Sequence, residues 1–305
     1  VSPVALAQSY VAAPAFAPLP YGLLSVAQPV DDPDAHWRAG IQYQPDPCDP
    51  ATALLAGCPT TSDTATKTAT STGLGTRGAE AVTVMAWVDC GPVGLWDEAG
   101  ARARQALLNG EGRALERAFW TGDVEGAAAA LNPHLAEDAA VVDGSVTIQT
   151  AATNVATGAP ANGVPHAEAI GLLEGALAAC YGGVGVIHMP RWTLATFAGP
   201  NRQVERDGSR LRTHGGTWVA AGAGYVGIGP DGSTPPAGSA WLYATGAVFV
   251  RRGDVVVPDG PQSLDRAENR LVMVAERTYV VGWDCCHFAV LADVGGFTPP
   301  LVAAP

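Results

Sequence analysis

Cys285-Cys286-His287, together with cysteines at 48, 58, 90 and 180, are the side chains of this 305-residue sequence whose types first suggest chemistry. Thiolate sulfur and imidazole nitrogen are zinc ligands, and structural zinc sites draw them from short paired spacings such as C-x-x-C. No C-x-x-C pair occurs, and three consecutive residues do not converge on one ion. On a strand, Cys285 and Cys286 would point to opposite faces. The cysteines therefore read as buried free thiols rather than a metal or disulfide cluster. His166-Ala167-Glu168 has the H-x-E form that pairs a zinc ligand with a general acid–base, but that chemistry needs a P-C-x-x-C downstream, and Cys180 stands alone. The pattern reads as the start of a helix, with Glu168 favoured by the helix dipole. His188 and His214 have no nucleophile or ligand spacing around them.

Two G-x-G-x-x-G matches occur, at Gly73-Gly75-Gly78 and Gly222-Gly224-Gly227. A dinucleotide site needs a strand before the glycines and a helix after them, so that phosphate meets the helix N-terminus. The first match reads as a hairpin tip. The second runs into Gly229-Pro230-Asp231-Gly232, where no helix starts. Arg252-Gly253-Asp254 reads as a turn between strands. No G-x-S-x-G, H-E-x-x-H or P-loop is present, so a conventional enzyme is not supported, and no cofactor or metal is implied.

The elements that would position any site follow from periodicity. Residues 1–60 read as an extended arm: prolines recur and the apolar runs are short. Residues 64–90 read as a long β-hairpin, with Thr66, Thr68 and Thr70 on one strand, Val82, Val84, Ala86 and Val88 on the other, and a glycine-rich tip at 71–78. Its faces are too small and polar to be packed on both sides, which predicts a projecting element. A helix follows from Trp96, with Ala99, Ala103, Leu107, Leu115, Ala118 and Phe119 on one stripe and Gly122 as its stop. Gly110 and Gly112 predict a bend in it. Residues 123–160 are weakly patterned. A second helix begins at Pro165 and ends at Gly182-Gly183. Val184–Met189 reads as a buried strand, Pro190–Phe197 as helical, Thr217–Ala221 and Trp241–Val250 as strands, and Arg270–Ala275 with Thr278–Val290 as two strands or one long bent one.

Composition bounds the function. Hydrophobic residues make up 48% and charged residues only 15%, with a formal net charge of −12. Affinity for phosphate backbones needs clustered Lys and Arg, so this charge argues against a DNA-gripping protein. The low charge fits a surface covered by copies of the same chain, since interface cores are depleted of charge; a GC-rich codon bias toward Ala, Gly, Pro and Arg would produce it too. No apolar stretch long enough to span a membrane is predicted. Residues 1–30 contain Ala15-Phe16-Ala17 but no Lys or Arg, and Pro3, Pro14, Pro18 and Pro20 break any signal helix. The start at Val1 predicts that something upstream, one residue or a leader, has been removed.

The order of elements, extended arm, projecting hairpin, long helix, α/β middle and closing β segment, resembles the major capsid protein of tailed phages, the HK-ninety-seven-like fold. The local text Leu115-Glu116-Arg117-Ala118-Phe119-Trp120-Thr121-Gly122, Gly222-Ala223-Gly224-Tyr225, Tyr243-Ala244-Thr245-Gly246 and Ser263-Leu264-Asp265-Arg266-Ala267 is similar to actinobacterial-phage capsid sequences. The resemblance implies an α+β fold with an N-terminal arm (1–60), an E-loop hairpin (61–94), a P-domain with the spine helix (95–160), an A-domain (161–250) and closing P-domain strands (251–305). It implies a shell protein that assembles as hexamers and pentamers around double-stranded DNA without sequence-specific contact, in the virion after assembly in a bacterial cytoplasm. Portal, scaffold and decoration proteins are the implied further partners. Residues 123–160 have no counterpart and read as an insertion. An encapsulin-like nanocompartment shell shares the expected fold and differs in cargo; a secreted β-rich binding or hydrolase domain using the Cys285-Cys286-His287 patch is the reading from another class.

Some capsids of this family join subunits by an autocatalytic Lys–Asn isopeptide bond, with a Glu seven residues after the Asn. Of the 17 basic residues here sixteen are arginine, and the one lysine, Lys67, falls on the predicted hairpin. Asn269 and Glu276 have the required spacing. The resemblance thus implies Lys67 as nucleophile, Asn269 as electrophile and Glu276 as the base that takes the ammonium proton. Glu276-Arg277 also resembles a structural pair in relatives that do not crosslink.

Overall fold

The computed structural model describes residues 16–30, 35–45, 75–90, 96–124, 132–197, 203–258, 264–265 and 270–295. The first elements are a one-turn helix α1 (Leu23–Val26) and strands β1 (Gln28–Pro29), β2 (Ile41–Tyr43), β3 (Arg77–Ala79) and β4 (Val82–Cys90). The long helix α2 (Trp96–Thr121) comes next, then β5 (Val141–Asp143), β6 (Val146–Gln149), β7 (Thr153–Asn154) and β8 (Val164–Pro165). Helix α3 (His166–Cys180), β9 (Val186–Pro190) and the short α4 (Leu194–Phe197) lead into β10 (Val204–Asp207), β11 (Arg210–Thr213) and β12 (Trp218–Gly222). The chain closes with β13 (Ser239–Thr245), β14 (Val248–Arg252), β15 (Leu264–Asp265), β16 (Arg270–Trp283) and β17 (His287–Asp293).

Helix α2 forms as its periodicity predicts. Ala99, Ala103, Leu107, Leu115, Ala118 and Phe119 are buried on one face, while Arg102, Arg104, Asn109, Arg113 and Arg117 are exposed. The helix runs unbroken through Gly110 and Gly112. It stops at Gly122, whose left-handed backbone (φ 70°) places its N–H on the Ala118 carbonyl at 2.9 Å. At 1.5 Å per residue its 26 residues span about 39 Å.

The apolar stripe of α2 lies on β4 and β16, which pair antiparallel from Tyr279↔Val82 to Leu271↔Cys90. Val84 is buried and Val82, Ala86 and Val88 half-buried, whereas Thr83, Met85, Trp87 and Asp89 alternate to the exposed face. β4, the second strand of the expected hairpin, belongs to a five-stranded sheet ordered β1-β14-β16-β15 with β4 also on β16, whereas β3, at the end of the expected glycine-rich tip, belongs to a separate four-stranded sheet, β2-β3-β6-β5. Gly78, read as part of a flexible tip, is a strand residue. A Cβ there would stand 2.9 Å from Val146 Cγ1 and 3.1 Å from Ile148 Cδ1, so close approach of β6 requires glycine. The first predicted hairpin strand, with Lys67, lies outside the described residues. Residues 123–160, read as unpatterned, supply β5, β6 and β7.

The third sheet has eight strands, ordered β10-β11-β12-β9-β13-β17-β7 with β8 also on β17. Helix α3 buries Ala169, Ile170, Leu173 and Leu177 in a core shared with β9, β12, β13 and β17. The stretch 241–250, which reads as one strand, is two: β13 in this sheet and β14 in the five-stranded one, broken at Gly246-Ala247. Thr278–Val290 divides in the same way at Asp284-Cys285-Cys286, while β16 runs on through residues 276–277, where a break between two strands was the alternative. Apolar residues continue through both breaks because each side enters a buried sheet, so hydropathy does not mark them. Two connections, Gly246-Ala247 and Asp284–Cys286, thus run side by side and join the two sheets.

The arm bridges the same two sheets on its own chain. Leu23, Val26 and Ala27 are buried in the core around α2. The Ala221 N–H of β12 donates to the Tyr21 carbonyl at 2.7 Å, and β1 pairs in parallel with β14. Farther along, the Arg251 guanidinium lies 4.8 Å above the Trp37 ring, and Tyr43 O–H donates to the Trp283 carbonyl at 2.8 Å.

Candidate assembly joint

Lys67 and Asn269 lie outside the described residues, so of the crosslinking trio only Glu276 is placed. It sits in β16 opposite Met85, its backbone exchanging two 2.9 Å hydrogen bonds with Val256, and its side chain is half-buried. Arg277, its neighbour, points to the other face because strand side chains alternate. There its Nη1 donates to both oxygens of Glu111 on α2, at 2.8 and 2.7 Å, with both side chains 10% exposed. Arg277 is thus partnered with Glu111, which the sequence reading did not single out.

A second carboxylate on α2, Glu116, is 6% exposed. Its Oε1 accepts the Leu23 N–H at 3.0 Å, where α1 begins, and its Oε2 accepts the Gly224 N–H at 2.9 Å. The Ala223 N–H is a third donor. Burial pushes its carboxyl above the ordinary range, opposed by these three N–H groups. One side chain therefore ties the arm, the spine helix and the Gly222-Ala223-Gly224-Tyr225 loop together. The glycines permit it: a Cβ on Gly224 would collide with the Arg113 carbonyl and stand 2.7 Å from the Arg117 nitrogen, and one on Gly22 would strike Glu116 itself. The second G-x-G-x-x-G is a helix-docking loop.

From this loop a buried polar relay reaches the crossovers. Tyr225, fully buried against Trp120 at 4.9 Å between ring centroids, donates its hydroxyl to His188 Nδ1 at 3.1 Å. His188 Nε2–H donates to Thr245 Oγ1 at 3.0 Å, whose hydroxyl donates to the Gly246 carbonyl at 3.0 Å. The Thr245 bond to an acceptor-only carbonyl fixes the imidazole tautomer, Nε2 protonated and Nδ1 accepting. Burial drives the His188 pKa down to about 3, with nearby His287 adding to the effect. His287, also buried, donates from Nδ1 to the Thr150 carbonyl at 2.9 Å, and burial lowers its pKa to about 4. Both histidines are neutral structural members of the joint.

The free-thiol expectation is overturned at the crossover. Cys180, the last residue of α3, is bonded to Cys286, with Cα atoms 6.2 Å apart across 106 residues of sequence. Cys285 is disulfide-bonded as well. Neither Cys285 nor Cys286 is in a strand; they form the turn between β16 and β17, Cys286 in the left-handed region at φ 63°. Adjacent cysteines said nothing about pairing because the partner comes from another element, brought there by the packing of α3 on β17. Among the described residues no group of three or more His, Cys, Asp or Glu is arranged to hold a metal ion, and no helix is long and apolar enough to cross a membrane.

The sequence reading missed Glu111 and Glu116. Their signal was a carboxylate lodged on the apolar side of a helix, beside Leu107 and Leu115, where a solvated residue would not be placed.

No protein-family model and no curated protein matches the sequence. Solved structures do. The capsid of an empty GTA particle superposes with a TM-score of 0.57 at 15% identity, covering 95% of each chain. A Mycobacterium phage Bobi structure superposes at 0.51 with 16% identity, over 95% of this chain and 97% of the other, and one from Microbacterium phage Oxtober96 at 0.50 with 13% identity, over 93% and 95%. Near-complete coverage of both chains means that the whole architecture is shared, not one motif of it. The chain has the HK-ninety-seven-like capsid fold.

Proposed function

We propose that this chain is a major capsid protein, assembling as hexamers and pentamers into the icosahedral head shell that encloses the double-stranded DNA of a tailed phage. The observation that carries the reading is the shared architecture over 95% of both chains with the capsid of a GTA particle. In that assignment the five-stranded sheet with α2 lies in the P-domain, the eight-stranded sheet with α3 in the A-domain, and β4 is the strand through which the E-loop (61–94) joins the P-domain sheet. Surface chemistry supports it: Met85 and Trp87, 52% and 61% exposed, lie two residues apart on the outer face of β4, an apolar strip suited to cover by a neighbouring subunit. Electron microscopy of the expressed chain tests the reading. Closed particles or capsomers are the expected result, and a monodisperse monomer at high concentration overturns it. Nucleic acid inside particles from infected cells separates a genome shell from an enzyme-holding compartment. Portal, scaffold and decoration proteins belong to the same reading as partners.

The crosslink is part of the proposal. Lys67 Nζ, once neutral, attacks the Asn269 side-chain carbonyl carbon; Glu276 takes the proton lost by the amine and passes it to the departing nitrogen. One amide bond forms between subunits, the Asn C–N bond breaks, and ammonia leaves. Glu276 supports it by standing half-buried on the same strand face as Val274, opposite Met85 and Trp87, where low polarity favours a neutral amine. Denaturing gels of mature particles read the outcome directly. A ladder that Lys67→Arg abolishes is expected, and monomer bands alone sink the crosslink while leaving the shell reading intact.

A further inference from the structure

The two sheets meet at a seam formed by the Gly246-Ala247 and Asp284–Cys286 connections. Across it the backbone supplies the Gly246 N–H to the Cys285 carbonyl at 2.7 Å and the Asp284 N–H to the Ala247 carbonyl at 2.9 Å. The end of α3 closes over this seam: a Cβ on Gly246 would stand 2.5 Å from the Cys285 oxygen and 3.3 Å from the Tyr181 ring. Cys286 turns the chain there with a left-handed backbone that an L-residue adopts only when its surroundings impose it. The Cys180–Cys286 bond is a covalent tie between α3, which packs on the eight-stranded sheet, and the turn that leads out of the five-stranded one. We propose that this disulfide is a redox lock on the seam, open as a dithiol in a reducing compartment and closed afterwards by a small-molecule disulfide such as oxidised glutathione. The order of events rests on the capsid reading, in which the chain is made in a bacterial cytoplasm and later leaves it; cytosolic thiols are held reduced, and disulfides persist outside.

The chemistry balances. Cys180, half-buried where Cys286 is 9% exposed, is the thiol that meets the oxidant first. Its thiolate attacks one sulfur of the small disulfide, forming a mixed disulfide and expelling one thiolate. The Cys286 thiolate then attacks Cys180 Sγ and expels the second. The protein loses two protons and two electrons, and the oxidant leaves as two thiols. In the dithiol form the seam keeps its hydrogen bonds and its apolar packing but loses the tie to α3, so the sheets gain freedom to pivot during assembly. In the disulfide form the pivot is fixed.

Two measurements on the full chain decide it. Alkylation of freshly lysed cytoplasmic expression cultures, read by peptide mass spectrometry, should label both Cys180 and Cys286, and incubation with oxidised glutathione should remove that labelling. Finding the pair already bonded in a reducing lysate overturns the lock. Hydrogen exchange of 244–250 and 281–288 should then run about tenfold faster in oxidised Cys180→Ala/Cys286→Ala than in the oxidised native chain, the Cys285 bond being common to both. If that variant does not fold, oxidised Cys180→Ser/Cys286→Ser, which also keeps the Cys285 bond, gives the same comparison. Equal exchange in the two forms overturns the lock. Microscopy of the same samples keeps the two readings apart: particles with redox-insensitive seams sink the lock alone, and redox-sensitive seams in a chain that never assembles sink the capsid reading alone.

Discussion

Two carboxylates five residues apart on the spine helix are both buried, yet they are held by opposite means. Glu111 meets a cation, Arg277, and joins the helix to the sheet beneath it. Glu116 meets three backbone N–H groups and joins the helix to an arm and a loop. Charge neutralisation suits a contact between two regular elements, whose own backbones are already satisfied within helix and ladder. Backbone donors are free where the chain is irregular, at the first turn of α1 and in the glycine loop, and a carboxylate can satisfy several of them at once. The difference is thus one of what each neighbour has left to offer.

That contrast is open to direct attack. Arg277→Ala leaves the Glu111 carboxylate buried without its cation and should cost the largest amount, about 3–5 kcal/mol by urea unfolding. Glu116→Gln turns an amide N–H toward a backbone donor and should cost about 2–3 kcal/mol, with the arm released to proteolysis before global unfolding. Gly224→Ala attacks the same joint from the loop side; overpacking against the helix backbone predicts a loss of about 1–3 kcal/mol. The double change Glu111→Leu/Arg277→Met should be near neutral, within about 1 kcal/mol, because the two charges leave together and apolar volume replaces them. No matching double replacement exists at Glu116, where the partners are backbone; a cost above about 3 kcal/mol for the double change would erase the contrast.

At neutral pH the smallest effect comes from the two buried histidines, and it appears only on acidification. His188 and His287 have folded pKa values lowered to about 3 and 4 from 6.5, so the unfolded chain binds their protons first on acidification. Their contribution is complete above about pH 6.5 and is lost as pH falls through 6.5 toward about 4 for His287 and about 3 for His188. Glu116, whose folded pKa is raised, works in the opposite sense, its carboxyl costing stability as pH rises through the folded value. Replacing His188 by Gln should flatten the acid limb of a Tm–pH profile; an unchanged slope would show that its burial is not coupled to folding.

The spine helix was legible because one apolar stripe and one stop glycine encode it locally. The glycine loop was legible as a motif but not as a contact, since a glycine needed for room and one needed for a turn look the same in sequence. The strands around Gly246 and Asp284 were joined too far for a related reason: an apolar run records burial, not which sheet does the burying. The end of the glycine-rich tip, residues 77–78, read as turn because a glycine needed for close strand packing looks like one needed for a bend; β3 and β4, three residues apart, find partners in different sheets.

The sequence alone determined which residues could be helix or strand, the acidity of the surface, the single lysine and the order of elements that carries the fold. Those properties are local or additive along the chain. Only the tertiary structure decided that Arg277 belongs to Glu111, that Glu116 holds three backbone donors, that His188 links a loop to a crossover and that Cys180 finds Cys286. Each of these pairs residues separated by tens to hundreds of positions, and the free energy that selects a partner at such distance comes from burial, which exists once the two sheets and the helix have packed.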